Sequence, residues 1–231
     1  MRSPRTERST RSRVCEEKLE LFTRLLREQP VTWSGTVCSP LTEQLLTPPL
    51  PAAHIPTWVG VGGSPESVIR AARHGLPLMI AIIGGHASRF APFVDLYKRA
   101  LDEFGTGPQP IGVHSPGFVA ATDQEAMEIQ WPHWYQLFDT VSRERGWPQP
   151  SREQFESEVE HGSLYVGSPD TAAAKIASTI ETLQLSRFDL FYALGAVPHE
   201  QKLETIELYG REVVPRVRQL LSERQRASTA A

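Results

Sequence analysis

The sequence predicts an α/β fold in which a parallel sheet is covered by helices. From residue 57 onward, short apolar runs alternate with amphipathic helical segments, which is the pattern of repeated βα units. Three of these runs, 57–61, 78–83 and 188–194, are each followed by glycine, where a strand can pass into a tight turn. Such units build either an open doubly wound sheet or a closed (β/α)8 barrel.

Composition and charge narrow the class of protein. The chain has 231 residues, of which 40% are hydrophobic and 22% charged, which is typical of one ordinary soluble domain. A net charge of −3 gives no reason to expect nucleic acid or an anionic membrane as a partner. No apolar run is long enough to cross a bilayer. Cys15 and Cys38 show neither a disulfide framework nor metal spacing, which favours a reducing cytoplasm.

Both ends of the chain are expected to lie outside the folded domain. Residues 2–13 include five arginines and no apolar side chain other than proline. Such a segment cannot bury enough surface to offset its ordering entropy, so residues 1–14 are predicted to be a disordered basic tail. A second disordered tail is predicted at 222–231, which leaves 15–221 as the domain.

The domain is predicted to begin with a helix and an extended connection. Residues 16–28 place leucines and a phenylalanine on one stripe and charges on the opposite side, as an amphipathic helix does. Residues 31–35 suit a short β segment that ends in a turn. Five prolines in 40–56 exclude a regular helix and predict an extended linker.

The stretch that follows combines a strand, a glycine turn and a capped helix. After the strand 57–61, Gly62 and Gly63 leave no side chain between their N–H groups and a ligand. Ser64 occupies the N-cap position and Pro65 the first helical position, so a helix is predicted to begin here and to end near Gly75. Free N–H groups at a helix start can bind an anion such as phosphate, although a well-capped turn without a ligand has the same sequence.

Two further segments of this kind are expected before residue 121. The strand 78–83 leads into Gly84, Gly85 and His86, and a strongly amphipathic helix is predicted over 89–104. Residues 111–121 suit a strand that is interrupted at 114–117, where proline and glycine predict a bulge or a turn.

The rest of the chain repeats the alternation of helix and strand. Helices are predicted from about 124 past Pro132, over 151–159 and, after the strand 164–166, from 169 to 183. The residues Gly167 to Asp170 repeat the capping pattern seen at 63–66. The strand 188–194 and a long helix over 201–221 complete the domain.

Several of these segments together resemble the luciferase-like, flavin-dependent monooxygenases. The resemblance rests on the order and spacing of EEKLEL (16–21), VTWSG (31–35), WVGVGGSPES (58–67), GSPD (167–170) and REVVP (211–215), and covers roughly 15–221. It implies a (β/α)8 barrel of which this chain supplies the C-terminal portion, with its strands as the sixth, seventh and eighth and the N-terminal strands missing.

The resemblance also implies a cofactor and an activity. FMN would lie at the C-terminal mouth of the barrel, with its phosphate at Gly62, Gly63 and Ser64, and monooxygenation would use O2, a small organic substrate and a flavin reductase or another source of reduced flavin. Two alternatives stay open: a deazaflavin cofactor in place of FMN, or a truncated, non-catalytic remnant. The exposed sides of an incomplete sheet make a homo-oligomer one of the expected states.

The remaining candidate residues come from the same edge of the sheet. Gly84 and Gly85 are predicted to help bind the cofactor, and His86 and His114 to line the substrate pocket, although a surface loop for His86 and a structural turn for His114 are the commoner roles of such histidines. No Ser or Cys carries a nucleophile signature and no histidines show metal spacing, so neither a catalytic residue nor a metal ligand is assigned.

Overall fold

The computed structural model describes residues 4–49 and 55–230. Its main sheet has five strands: β3 (Val59–Val61), β4 (Leu78–Ala81), β5 (Ile111–Val119), β6 (Tyr165–Gly167) and β7 (Arg187–Phe191); a separate hairpin pairs β1 (Val31–Trp33) with β2 (Leu41–Gln44). The helices are α1 (Pro4–Leu25), α2 (Pro65–Arg73), α3 (Ala91–Phe104), α4 (Asp123–Arg145), α5 (Arg152–Glu160), α6 (Pro169–Leu183), α7 (His199–Leu208) and α8 (Val214–Ala230). Helical residues outnumber strand residues, and the predicted α/β class is confirmed.

All pairings in the main sheet are parallel. β3 pairs with β4, and β4 pairs with β5. β7 also pairs with β5, and because residues 112–114 of β5 pair with both neighbours, β4 and β7 lie on opposite sides of it. The predicted parallel order of the three apolar runs is therefore confirmed, with β5 standing between the second and the third. A closed (β/α)8 barrel needs eight strands, so the five strands described here do not close one.

β5 runs without a break, and the predicted bulge or turn at 114–117 is wrong. The ladder with β4 ends at His114 and the ladder with β6 begins at Gly117. Pro116 lies between them, so its missing N–H interrupts neither ladder. A Cβ atom on Gly117 would lie 2.4 Å from the Tyr165 carbonyl oxygen, so glycine here permits β6 to approach.

The two faces of the sheet differ in burial. Alternate strand residues such as Leu78, Ile80 and Val113 are fully buried and form one core with side chains of α2 and α3. The residues between them, including Met79 and His114, are only partly buried. Since successive side chains in a strand point to opposite faces, the second set lies on the face opposite α2 and α3, here called the inner face.

Both ends of the chain differ from the predicted tails. α1 begins at Pro4 rather than near residue 16, and α8 continues to Ala230, so the described parts of 1–14 and 222–231 are helical. Residues 5–25 contain neither glycine nor proline, so a helix that is anchored further along can extend backwards through them. Residues 1–3 and 231 lie outside the described chain, and the domain limits at 15 and 221 stay a prediction.

The linker prediction also needs correction. The short strand predicted at 31–35 is present as β1, but residues 41–44 of the expected linker form β2, which pairs with it antiparallel. The linker residues 50–54 lie outside the described chain. The long closing helix is divided by a π-helical turn at Tyr209–Val213, just before Pro215, whose missing N–H cannot continue the regular bonding pattern.

The helix boundaries around the glycine turns follow local capping chemistry. The side chains of Ser64 and Ser168 each accept a hydrogen bond from the backbone N–H three residues on, as predicted for N-caps. Gly105 ends α3 in the left-handed conformation. None of the helices in the described part of the chain is long and apolar enough to cross a membrane.

α1 is joined to the β1–β2 hairpin by one carboxylate. Glu17 accepts hydrogen bonds from the backbone N–H groups of Thr36 (3.0 Å), Val37 (2.7 Å) and Cys38 (2.8 Å), and from the Thr36 hydroxyl (2.7 Å). These donors stabilise the ionised form and lower the pKa of Glu17 to about 2. A Cβ on Gly35 would meet the same carboxylate and the Trp33 indole nitrogen, so a larger residue here would displace the Glu17 side chain from its hydrogen bonds.

We expect Glu17→Gln to lower the melting temperature at pH 7 and to flatten the loss of stability in acid. The folded-state pKa is about 2 and the ordinary value 4.5, so the stabilisation is present above pH 4.5 and is lost as the pH falls towards 2. Thermal unfolding between pH 2.5 and 7 measures both effects. Glu20→Gln is the control, since the Glu20 side chain is 43% exposed and pairs with Arg24 one turn away. Equal acid profiles for the two variants would contradict this role of Glu17.

Candidate functional site

The predicted glycine turn after β3 lies at the carboxyl edge of the sheet. Gly63 has φ +117°, a conformation that favours glycine, and a Cβ on Gly62 or Gly63 would meet no atom within 4 Å. Neither N–H group finds an acceptor within the described residues. The turn is exposed and lies directly before α2, where the helix dipole favours a negative charge.

The Ser64 hydroxyl is already engaged in the cap. It accepts from the Ser67 N–H at 3.3 Å and donates to the Glu66 carboxylate at 2.7 Å. A phosphate that used this hydroxyl would have to replace Glu66 as its acceptor. The backbone of Gly62 and Gly63 therefore fits an anion better than the serine side chain does.

The second glycine turn, after β4, is occupied by a side chain of the protein itself. The Gly85 N–H donates to both carboxylate oxygens of Glu158, at 3.1 Å each, and the Ser163 N–H donates to the same group at 3.1 Å. A Cβ on Gly85 would lie 2.7 Å from the Arg89 guanidinium. The turn thus binds an anion, as its sequence indicates, but Glu158 provides it. Sequence reasoning missed this contact because Glu158 is 73 residues away from Gly85.

Lys175 of α6 supports the segment that carries Glu158. Its ammonium group donates to the carbonyl oxygens of Glu158 (3.3 Å), Val159 (2.5 Å) and Leu164 (2.8 Å). Burial lowers the pKa of Lys175 to about 8, while the Glu158 charge acts in the opposite direction. The end of α5, the start of β6 and the β4 turn are therefore fixed to one another by two charged side chains.

His86 does not reach the inner face of the sheet. Its Nδ1 accepts from the Ser88 N–H at 3.2 Å, which caps a short 3-10 turn (Ala87–Phe90). His86 also lines a cavity of about 780 Å³ together with Thr171, Lys175 and Ser178 of α6. This cavity lies in the helix layer, so His86 is separated from the other predicted pocket histidine.

His114 lies on the inner face. It is paired in register with Ala81 of β4 and Asp189 of β7. Its ring packs on Phe191, with the ring centroids 5.4 Å apart and the planes tilted by 38°. Neither ring nitrogen has a hydrogen-bond partner among the described residues. The imidazole is therefore free to bond a molecule on this face.

The strand register places His114 in the same row as the first glycine turn. Gly60 pairs with Met79 and Met79 with Gly112, so two residues further along Gly62 is level with Ala81 and His114. Adjacent strands are about 4.8 Å apart, so about 10 Å of sheet separates Gly62 from His114. Of the predicted site residues, the fold thus brings the first turn and His114 to one row.

The charged residues of β7 near His114 neutralise each other. Asp189, in the row of His114, forms an ion pair at 2.7 Å with Arg187, which lies one row below, and the Arg187 guanidinium lies 5.3 Å from the ring centroid of Trp58. Sequence analysis singled out none of these three for the site; their positions depend on pairing between distant strands. The described residues contain no cluster of three or more His, Cys, Asp or Glu side chains that could hold a metal ion.

Comparison with known proteins identifies the fold and the family. A family model described as luciferase-like monooxygenase matches residues 4–186. The chain therefore belongs to the luciferase-like monooxygenase family, and the resemblance found in the sequence is confirmed. A search of the curated proteins found no match.

Solved structures of similar fold include enzymes that use different cofactors. Monooxygenase RslO1 from Streptomyces bottropensis matches with a TM-score of 0.65 and 23% identity, over 87% of this chain and 60% of that one. The coenzyme F420-dependent tetrahydromethanopterin reductase from Methanopyrus kandleri matches with a TM-score of 0.64 and 16% identity, over 88% and 63%. The oxygenating constituent of 3,6-diketocamphane monooxygenase from Pseudomonas putida, solved in complex with FMN, matches with a TM-score of 0.61 and 18% identity, over 86% and 61%.

The chain spans about 60% of the length of these relatives. Their agreement with it shows the fold, a partial luciferase-like barrel. Of these neighbours, the Methanopyrus reductase is described as F420-dependent and the Pseudomonas enzyme was solved with FMN.

We expect the stability of the protein to rise between pH 8 and 10.5 because of Lys175. In this window the folded state has released the proton that the unfolded state still binds, so raising the pH favours the folded state. Lys175→Met should remove that rise, and urea denaturation at several pH values measures it. Lys98→Met is the matched control on α3 and should keep the rise. A flat profile for the unsubstituted protein would contradict the lowered pKa.

Proposed function

We propose that this chain forms the cofactor-phosphate side of an FMN-dependent monooxygenase that acts on a small organic substrate with O2. The observation that carries the proposal is the turn of Gly62 and Gly63, whose two N–H groups have no acceptor in the described chain. This turn lies at the start of α2 and at the carboxyl edge of the sheet. Ligands of this barrel type bind at that edge. Membership of the luciferase-like family supports the assignment.

The residues of the turn fit a phosphate by shape and by charge. Open space around both glycines lets a phosphate approach the backbone, and the N-terminal end of the α2 dipole stabilises its charge. Glu66 is the opposing feature, because its carboxylate accepts from Ser64 next to the turn. We propose that Gly62 and Gly63 supply the main contacts and that Ser64 adds a hydroxyl when it turns away from Glu66.

The other residues at this edge have supporting roles in the proposal. Gly84 and Gly85 shape the neighbouring turn, whose anion site Glu158 occupies, so they line the mouth rather than bind the phosphate. His114 faces the inner side, where a substrate would lie, whereas His86 supports the helix layer. A bound reduced flavin would supply the electrons that activate O2, and the protein would position the cofactor and exclude water.

A deazaflavin-dependent oxidoreductase is the second candidate. Two neighbours of the same fold are described as F420-dependent, the Methanopyrus reductase and a secondary alcohol dehydrogenase solved with an F420-acetone adduct. A glycine turn that holds a phosphate through its backbone does not discriminate between the two cofactors. The proposed monooxygenase would need a flavin reductase or another source of reduced flavin. We propose a cytoplasmic location for this protein because Cys15 and Cys38 are free thiols.

We expect FMN to bind more tightly than riboflavin, and Gly63→Val to reduce the affinity for FMN to that for riboflavin. Valine is strained at φ +117° and its branched side chain would block the backbone from the phosphate. Ser64→Ala should cost about 0.5–1.5 kcal/mol, the usual net value of one hydrogen bond. Quenching of flavin fluorescence measures each affinity, and the same titration with F420 compares the two cofactors.

Gly105→Val is the matched control for backbone strain. Gly105 also has a positive φ of 64° with open space around it, but it ends α3 away from the turn. Its substitution should leave the ratio of FMN to riboflavin affinity unchanged. Equal affinity for FMN and riboflavin in the unsubstituted protein would rule out this phosphate site, and the absence of any flavin or F420 binding would favour a non-catalytic remnant.

A further inference from the structure

The inner face of the sheet carries an aromatic surface that the phosphate turn does not use. His114 and Phe191 pack against each other there, next to the small side chain of Ala81, and we call these three residues the His114–Phe191 wall. Phe191 is 37% exposed even though it lies in the sheet. Both rings therefore present area to a molecule on this face.

The wall can also form a hydrogen bond. His114 is half-buried, and neither of its ring nitrogens has a partner among the described residues. A neutral imidazole has one donor and one acceptor nitrogen, so it can bond either a hydroxyl or a carbonyl group. Asp189, its neighbour in register, pairs with Arg187 at 2.7 Å.

The charges near the wall favour a neutral ligand. The Arg187–Asp189 pair lies on the same strand as Phe191 and cancels its own charge, and Arg187 also covers the Trp58 ring. The groups that face His114 from β4 are Met79 and Ala81, which are uncharged. A charged ligand would therefore lose its hydration without gaining a partner of opposite charge.

We infer that the His114–Phe191 wall binds the aromatic ring of a neutral substrate that carries a hydroxyl or carbonyl group. Phe191 contacts the ring and His114 bonds the oxygen. The inference rests on the proposed function in that His114 lies in the row of the Gly62 turn, about 10 Å from it across the sheet. This distance leaves the phosphate turn free when the substrate binds.

The test uses 2-naphthol as the neutral aromatic probe and NMR signals of the histidine rings as the readout. With the whole chain, 2-naphthol should shift the ring signals of His114 and leave those of His86, which lines the cavity in the helix layer, unchanged. A shift of both histidines alike, or of neither at millimolar probe, would overturn the inference. A merely structural role of His114 would produce no shift that depends on the ligand.

Three variants separate the two contacts. Phe191→Leu should weaken the binding of both 2-naphthol and naphthalene about three- to tenfold, because it removes the ring contact. His114→Phe should weaken only 2-naphthol, by a similar factor, since naphthalene has no oxygen to bond. Phe104→Leu is the matched control: Phe104 is 38% exposed on α3, and its substitution should leave both affinities unchanged. A loss of naphthalene binding in His114→Phe would contradict the assigned hydrogen bond.

The same experiment distinguishes the substrate from the cofactor. With FMN present at saturation, 2-naphthol should still shift His114. If FMN itself shifts His114 and excludes 2-naphthol, the wall belongs to the flavin ring and the substrate assignment is wrong, whereas the cofactor proposal stands. If no flavin binds but 2-naphthol does, the wall stands and the proposed cofactor fails.

Discussion

The rest of the structure depends on the pairing of β5 with three other strands. One side of β5 bonds to β4 and then to β6, and the other side bonds to β7. Ser115 lies where β4 ends and β6 begins, and its buried hydroxyl contacts the carbonyl oxygens of Ile82 (2.8 Å) and Ser163 (2.9 Å). Because this register fixes which residues share a row, it decides which side chains face the helices and which face the inner side.

Local chemistry explains what sequence analysis predicted correctly. The caps at Ser64 and Ser168 depend on residues within three positions of each other, so the starts of α2 and α6 are visible in the sequence. The alternation of apolar strands and amphipathic helices was sufficient for the fold class, since the parallel sheet follows from it. The resemblance to the luciferase-like family added the identity of the barrel.

Contacts between distant residues explain what the sequence could not predict. Pro116 and Gly117 suggested a break in β5. β5 is continuous there, and it is the neighbouring strand that changes, from β4 to β6. The turns at Gly63 and Gly85 are alike in composition, yet a carboxylate 73 residues away occupies only the second. The aromatic surface on the inner face could not be predicted for the same reason, because His114 and Phe191 meet only through the pairing of β5 with β7.

The position of β5 also affects the order in which the chain can fold. Its first residues bond to Ser186, 75 residues later, so β5 lacks one complete side until β7 has been synthesised. Loop closure over such a separation is slow compared with helix formation, and an unpaired apolar strand is prone to aggregate meanwhile. During synthesis α3 and α4, on either side of β5, can form at once, but the strand between them must wait for the last third of the chain. Completion of the sheet is therefore a late event in synthesis, because its central strand gains its second neighbour only from residues 187–191.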